Sequence, residues 1–373
     1  MTRRCGKGQE VMRAVKRTIR TDVDAPQKGD SPVSMRAEQD READNIRPLL
    51  LKDYIGQERV KYDIATYIEA AKKNGRQLGH ILLSGPPGLG KTTLARIVAN
   101  EMGVGIAEVS GPSITKPGEI ASMLMSLQDG GVAFIDEIHS LDSAAMEMLY
   151  SAMEDFKINI TMGSENTAKS KMITVGTPRF TLIGATTKAG SLTKPLADRF
   201  VIKERMEYYT SDELAMIAKR SAAFYNVNID DDGCSVIAGM SRGTPRVANG
   251  ILYRLAAFST VQNHSDIDAA FARETIRKMG IDDEGLDIID RRMLRTIINT
   301  YGCGPVGIET LAATMEEDVH TLESMHEPYL LRNGYIERTP RGRIATQKAM
   351  GHIKTWSFID DRQFFAKNKE RGV

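Results

Sequence analysis

The run Gly85-Pro86-Pro87-Gly88-Leu89-Gly90-Lys91-Thr92 has the residue types and spacing to hold a triphosphate. In the pattern Gly-x-x-x-x-Gly-Lys-Thr, glycines let backbone N–H groups close around phosphate oxygens. Lys91 can bring a cation to the outer phosphates, and the Thr92 hydroxyl suits magnesium. Two carboxylates, Asp136 and Glu137, directly follow the apolar run 132–135. The first can hold Mg2+ through water, and the second can orient and deprotonate an attacking water. Thr186 and Thr187 follow a further apolar run, 180–184. Either hydroxyl could reach that water or the γ-phosphate, and the sequence does not choose. Arg199, in Asp198-Arg199-Phe200, is on spacing alone either a solvated surface residue or a finger offered to a neighbouring subunit. Arg246 sits in the first turn of a helix that Thr244 can cap and Pro245 can open. The helix dipole disfavours a cation there, which an anion such as the γ-phosphate would offset. The residues imply binding and hydrolysis of a nucleoside triphosphate.

These side chains need strands to aim them. Ile81-Leu82-Leu83 leads into the glycine loop, and Leu94, Ile97 and Val98 mark one face of the helix after it, whose positive end joins the anion site. Strand-like runs at 106–109, 132–135 and 180–184 alternate with helical patterns, and the polar clusters fall at their carboxyl ends. That is the pattern of a parallel α/β sheet. Ahead of it, Val60, Ile64, Tyr67 and Ile68 form the stripe of an amphipathic helix. From Ser211 the chain reads as helices, with Leu214, Ile217 and Ala218, then Val236, Ile237 and Met240, then Val247, Ile251, Leu252 and Leu255 on apolar faces.

With 373 residues, the chain has room for two or three domains. Hydrophobic and charged fractions of 41% and 27% are those of a soluble globular protein, and the net charge of +1 can conceal local asymmetry. No apolar run approaches the length of a membrane span. The 3 cysteines, Cys5, Cys234 and Cys303, are scattered without metal or disulfide spacing, which favours a reducing, cytoplasmic setting. The five expected segments are a disordered, cation-rich then acidic tail (1–45), the ATPase domain (46–206), a helical lid (207–283), a winged helix (284–353) and a charged tail (354–373). The winged helix is read from helical patterns at 288–300, 308–315 and 319–333, followed by a hairpin with a Pro-Arg-Gly tip. There Arg338, Arg341, Arg343 and Lys348 are opposed in the sequence only by Glu337, which suits phosphate contacts. A second hairpin, 157–176, is inserted in the ATPase domain. Ile158, Ile160 and Met162 alternate with polar residues, a turn falls near Gly163-Ser164-Glu165-Asn166, and Ile173 and Val175 return. Its apolar face needs a cover, from the protein's own sheet or from a partner.

Taken together, these segments resemble the RuvB family, ring-shaped AAA+ motors that drive branch migration of Holliday junctions. The matches are Arg47-Pro48, Ile55-Gly56-Gln57, Gly85 to Thr92, Phe134 to His139, Ala152 to Asp155, Gly184 to Thr187, Ala189 to Thr193, Asp198-Arg199-Phe200, Gly243 to Arg246, Gly304 to Gly307 and Arg338 to Arg343. They run in order through about residues 46 to 353. The resemblance implies an AAA+ P-loop domain, a small helical lid and a winged helix assembled as a homohexamer, with ATP and Mg2+ as cofactors. Ile46, Arg47, Glu154, Asp155, Phe156 and Tyr209 would lie at the adenine end. Gly88, Gly90, Lys91, Thr92 and Thr93 would hold the phosphates, and Thr92 with Asp136 the metal. Arg246 would be a second sensor and Arg199 the finger given to the next subunit. Duplex DNA of Holliday junctions would meet Arg338, Arg341 and Arg343 without sequence preference. A RuvA-like partner would dock on hairpin 157–176, so Ile158→Asp with Ile173→Asp is expected to leave the fold intact, and a RuvC-like resolvase is a further partner. The chain departs from the family pattern at Gly250 and Tyr253, where more cations are usual, and in its two tails.

Two other readings share some of these features. A clamp-loader or replication-initiator ATPase uses the same phosphate chemistry, and an initiator also carries a winged helix. The segments Gly184 to Thr193 and Thr339 to Arg343 favour the motor. A non-hydrolysing, nucleotide-gated DNA-binding protein would not need Asp136, Glu137 and Arg199 together. A GTPase is disfavoured, because no Asn-Lys-x-Asp guanine-reading motif follows the P-loop.

Overall fold

The computed structural model describes residues 46–162, 171–264 and 266–355, without the side chains of 160–162, 171 and 172. The expected tail 1–45, residues 356–373 of the second tail and the turn of hairpin 157–176 lie outside the described residues, whereas Lys354 and Thr355, expected in that tail, end the helix Gln347–Thr355. Five parallel strands, β1 (Ile81–Ser84), β2 (Ile106–Ser110), β3 (Gly131–Asp136), β6 (Phe180–Thr186) and β7 (Ile202–Arg205), form one sheet in the order β2-β3-β6-β1-β7. The antiparallel pair β4 (Lys157–Met162) and β5 (Lys171–Gly176) stands apart from it. The edge strand β7, whose residues alternate buried and exposed, is the one member of the sheet that the apolar runs do not announce.

Both faces of the sheet are covered, so its central strands are apolar throughout. Val132 and Phe134 of β3 pack with Ile81, Leu83 and Ile183 against the helices Glu58–Lys73 and Lys91–Met102. Ala133 and Ile135 face the other way with Leu82 and Leu182, under the helices Pro117–Ser126 and Ser143–Asp155. In the first helix Val60, Ile64, Ile68 and Ala71 are buried, whereas Tyr67 is exposed and lies off the expected stripe.

The lid consists of the helices Ser211–Phe224, Asp231–Met240, Pro245–Gln262 and Ala269–Lys278, the last not foreseen. Its core incorporates Leu89 of the glycine loop, Tyr54 and Tyr209, so lid and loop share one apolar cluster. Thr244 does not cap the helix Pro245–Gln262. Its hydroxyl instead donates to the Ser241 carbonyl at 3.2 Å. The carboxyl-terminal unit packs Leu294, Ile297, Leu311, Leu322, Leu330 and Tyr335 around a hairpin of Ile336–Thr339 and Gly342–Ala345.

The β4–β5 hairpin corrects one expectation. Ile158 is fully buried in the cluster that holds Leu149, Ala152 and Phe180, with Val175 packed against it. Its root therefore belongs to the protein's own core. Further out, Ile173 is 36% exposed. Truncating Ile158 to Ala should cost about 2–5 kcal/mol, the range for emptying a packed site. Ile173→Ala should cost below ~1 kcal/mol. Urea titrations of the two variants check this, and equal costs would contradict it.

Candidate functional site

The strand order places the carboxyl ends of β3, β6 and β1 side by side, with β6 in the middle. Ser84 at the end of β1 stands opposite Thr186 of β6, and the Gly85 N–H donates to the Thr186 carbonyl at 3.2 Å. The glycine loop is then confined on three sides. A Cβ on Gly85 would lie 2.6 Å from the Met206 carbonyl, one on Gly90 would lie 2.8 Å from the Tyr54 hydroxyl, and one on Gly88 would lie 3.1 Å from the Arg246 Cβ. All three also have positive φ, which only glycine adopts freely. The loop opens the helix Lys91–Met102, so its free N–H groups and helix end form an anion site.

Lys91 is buried, and its ammonium donates to the carbonyls of Gly85 (2.8 Å) and Pro86 (2.9 Å). Burial lowers its pKa and Arg246 adds to this, against the pull of Glu137 and Asp136. Asp136 closes β3, and one of its carboxylate oxygens accepts the Glu137 N–H at 3.0 Å. Burial and the neighbouring Glu137 charge raise the Asp136 pKa, and that N–H, Lys91 and Arg246 oppose them. A part-buried carboxylate at the end of β3 and the Thr92 hydroxyl in the first turn of the helix Lys91–Met102 are oxygen donors of the kind a hard divalent cation takes.

Glu137 sits in the left-handed region at φ 49°. Its Oε2 accepts the Thr187 N–H at 3.1 Å and the Thr187 hydroxyl at 3.0 Å. The His139 Nδ1 lies 3.1 Å from the same oxygen and 2.9 Å from the fully buried Thr186 hydroxyl. Thr186 also accepts the Lys188 N–H. The two threonines thus have separate partners, Thr187 holding Glu137 and Thr186 holding His139. Among the residues the sequence reading left without a role, His139 is the one that joins them. Its place two residues after Glu137, in a turn at a strand end, was the available signal.

From the lid, the Arg246 N–H donates to the Gly88 carbonyl at 3.4 Å, so a first-turn group of the lid helix is spent on the loop. Tyr209 is buried, its hydroxyl within hydrogen-bond distance of the Leu89 carbonyl (3.2 Å) and of the Tyr54 hydroxyl (3.0 Å). Burial pushes its phenol up to about 12.

Arg199 is elsewhere. It ends the short helix Lys194–Arg199, donates to the Tyr150 hydroxyl at 2.8 Å and pairs with Glu154 at 2.6 Å, its guanidinium 4.8 Å from the Tyr150 ring centre. Among the described residues, none of its hydrogen bonds reaches the glycine loop, Glu137 or Arg246. Glu154 and Asp155 are exposed beside it, and Phe156 turns the chain into β4 at φ 51°. Ile46 and Arg47 precede the compact unit Pro48–Val373 that holds all the other site residues.

The wing needs a correction in its charge balance. Arg338 and Arg343 are not opposed by Glu337 alone, because the preceding helix brings Glu327 onto both. Arg338 contacts Glu327 at 2.8 and 3.1 Å, and Arg343 at 2.8 and 3.0 Å. Glu327 and Arg343 are both buried, with Glu323 at 3.4 Å from Arg343. Arg343 therefore works as an internal counter-ion in this conformation. Arg341 at the tip and Lys348 remain exposed. Burial would raise the Glu327 pKa, but the hydrogen bonds from Arg343 and Arg338 outweigh it and hold the carboxyl below its ordinary value. That contribution to stability is full above the ordinary carboxylate value and is lost as pH falls through the lower, folded one. Arg343→Ala should cost about 1.5–3 kcal/mol, because buried Glu327 loses its buried partner and keeps only the exposed Arg338, whereas Arg341→Ala should leave the melting temperature unchanged. Thermal melts decide, and a neutral Arg343→Ala would contradict the assignment.

The chain matches known proteins over most of its length. Residues 46–206 match the Holliday junction DNA helicase RuvB P-loop domain, 209–282 the RuvB AAA lid domain and 283–354 the RuvB C-terminal winged helix domain. A Holliday junction branch migration complex subunit RuvB from Limosilactobacillus reuteri is 50% identical over 308 residues, 83% of this chain and 90% of that protein. One from Staphylococcus haemolyticus is 49% identical, covering 84% of this chain and 94% of its own. The solved Thermotoga maritima RuvB Holliday junction branch migration motor is 45% identical, with a TM-score of 0.74 over 83% of this chain and 98% of that one. A point mutant of the same motor aligns with a TM-score of 0.76 at 46% identity.

Proposed function

The chain belongs to the RuvB family of ATP-driven branch-migration motors, and on that premise we propose that it works as a ring of six identical subunits with each ATP site shared between two of them. One observation carries the shared site. Glu137 is held beside the glycine loop by Thr187, while Arg199 is held by Tyr150 and Glu154 and bonds to nothing in that site. Lys91 and Arg246 are the cations of the chain's own site, and Arg199, turned away from it, is placed to serve as the additional finger of a neighbour's site.

In this reading the glycine loop and Lys91, with Thr92 and Thr93, bind the phosphates. Tyr209, Ile46 and Arg47 are assigned to the adenine end, and for all three that assignment rests on family resemblance. Mg2+, held by Thr92 and Asp136, supplies charge neutralisation at the phosphates. Glu137 accepts the proton of the attacking water, and Thr187 fixes the direction of that carboxylate. Arg246 senses the γ-phosphate from the lid. Arg199 reaches the next subunit's γ-phosphate, and the Glu154-Asp155-Phe156 segment travels with it to the same interface. Apart from the proton taken by Glu137, these roles are positioning and electrostatic stabilisation, the dominant means of accelerating phosphoryl transfer.

The DNA partner is the duplex arm of a Holliday junction, gripped through phosphates at Arg341, with Arg338 released from Glu327 as a secondary contact. The relatives' name as subunits of a branch migration complex supports a RuvA-like junction binder. Its docking place is the outer part of the β4–β5 hairpin around Ile173, not the buried root at Ile158. No described helix is long and apolar enough to cross a membrane. We place the motor in the cytoplasm with the junctions it processes, upstream of a RuvC-like resolvase.

Glu137→Gln should keep ATP binding and lower turnover by about 100-fold or more, because the water loses its base while the phosphate cradle survives. Arg199→Ala should bind ATP normally and hydrolyse poorly. Mixing the two inactive variants should restore part of the activity at interfaces where an intact Arg199 meets an intact Glu137. A mixture no more active than its components would count against the shared site. For DNA, Arg341→Ala should lower the salt slope of duplex binding by about one, equally for unrelated sequences. A sequence-dependent loss would point instead to base reading.

A further inference from the structure

We propose that Arg332 and Arg242 form a latch through which the winged helix sets the lid turn carrying Arg246, so that DNA on the winged helix is felt at the ATP site. This deepens the reading above and rests on it.

Arg332 ends the last helix before the wing hairpin. Its guanidinium lies 3.8 Å from the centre of the Tyr208 ring and donates to the Arg242 carbonyl at 2.7 Å. Arg242 in turn reaches back into the winged helix. Its guanidinium contacts Asp287 at 2.9 Å and Asp290 at 2.6 Å, and donates to the Gly285 carbonyl at 3.1 Å. Asp287 and Asp290 form the capping box that opens the first helix of that domain. The two arginines both lie over the Tyr329 ring, at 5.0 and 5.6 Å, and the acids offset their mutual repulsion. Asp287, Asp290 and the adjacent His326 could together suggest a metal site, but Arg242 is already the cation there.

The partners of this cluster on the ATPase side are immediate neighbours of nucleotide-site residues. Tyr208 precedes Tyr209, which holds the Leu89 carbonyl, and the Tyr209 N–H donates to the Gly243 carbonyl at 3.0 Å. Arg242 (φ 55°) and Gly243 (φ 75°) form a tight left-handed turn. A Cβ on Gly243 would lie 3.0 Å from Arg332 and 3.1 Å from Tyr208, a tight fit at a positive φ that favours glycine. Three residues after Gly243, the Arg246 N–H donates to Gly88 in the glycine loop. From the wing helix to the phosphate loop there is thus a single turn, gripped at one end by Arg332 and at the other by Gly88. A shift of the winged helix that draws Arg332 off Tyr208 must move Arg242 and Gly243, and with them the start of the Arg246 helix. Arg332 and Arg242 touch neither ATP nor DNA in this scheme and are positioning residues.

Coupling of this kind is reciprocal, which gives a readout that a purely structural role would not move. The test measures Kd for duplex DNA with and without ATPγS, and Kd for ATPγS with and without duplex DNA, on the full chain. Wild type should show the same coupling factor, about fivefold or more, in both directions. Arg332→Ala should bring that factor to about one, while each ligand's affinity in the absence of the other and the basal ATPase rate stay at wild-type values. Arg332→Lys, which keeps a cation over Tyr208, should restore part of the coupling. Tyr208→Leu withdraws the same contact from the ATPase side and should reproduce the loss, which keeps the test decisive should Arg332→Ala fail to fold. An unchanged coupling factor in a folded variant of either residue would overturn the latch. If wild type itself shows no coupling between DNA and nucleotide, the motor reading fails first and the latch with it.

Discussion

The structure depends on how tightly the phosphate loop is enclosed. Gly85 and Gly90 sit so close to the Met206 carbonyl and the Tyr54 hydroxyl that a Cβ would force a shift, and Gly88 lies almost as tightly against Arg246. The loop is therefore a contact surface of the sheet, the lid and the segment before the first helix at once. Leu89 lies fully buried in the lid's own core. Any ligand that moves this loop moves the lid, because close-packed interiors shift as discrete pieces and do not deform smoothly. The β3-β6-β1 order then needs no further device to bring Asp136, Glu137 and Thr187 to the same place.

The same logic explains which side chains are satisfied within one chain. Glu137 has its orienting partners, Thr187 and His139, at about 3 Å in the folded chain. Arg199 is held by an aromatic ring and an exposed carboxylate, a pairing weak enough for a stronger anion to displace. In the winged helix the balance runs the other way. Arg343 and Glu327 are buried together and joined by two hydrogen bonds, so that pair anchors the hairpin and leaves Arg341 to face outward.

Much of this was legible in the sequence for identifiable reasons. Buried parallel strands are apolar without interruption, so β1, β3 and β6 announced themselves, and their carboxyl ends gave the site. β7 did not, because an edge strand with one open face alternates like a surface segment. The Glu154–Arg199 and Arg343–Glu327 pairs were invisible because they join residues that only the tertiary fold brings together. Glu327 lies 16 positions before Arg343, on a different element. Ile158 and Ile173 illustrate the limit of periodicity. Alternation identified the hairpin and its apolar face, but not that one end of that face is roofed by Leu149 and Phe180 while the other is open. Thr186 and Thr187 were interchangeable until the register of β6 buried one and turned the other toward Glu137.

We propose that one folded chain carries an incomplete hydrolytic site, finished by Arg199 of the next. The most direct measurement follows ATPase rate per chain and particle mass together across a dilution series, with nucleotide affinity measured at each point. The account predicts that the rate per chain rises in step with the hexamer fraction while ATP affinity stays within about twofold, since the phosphate cradle is intact in the monomer. A dilute, monomeric sample hydrolysing ATP at the full per-chain rate would contradict it.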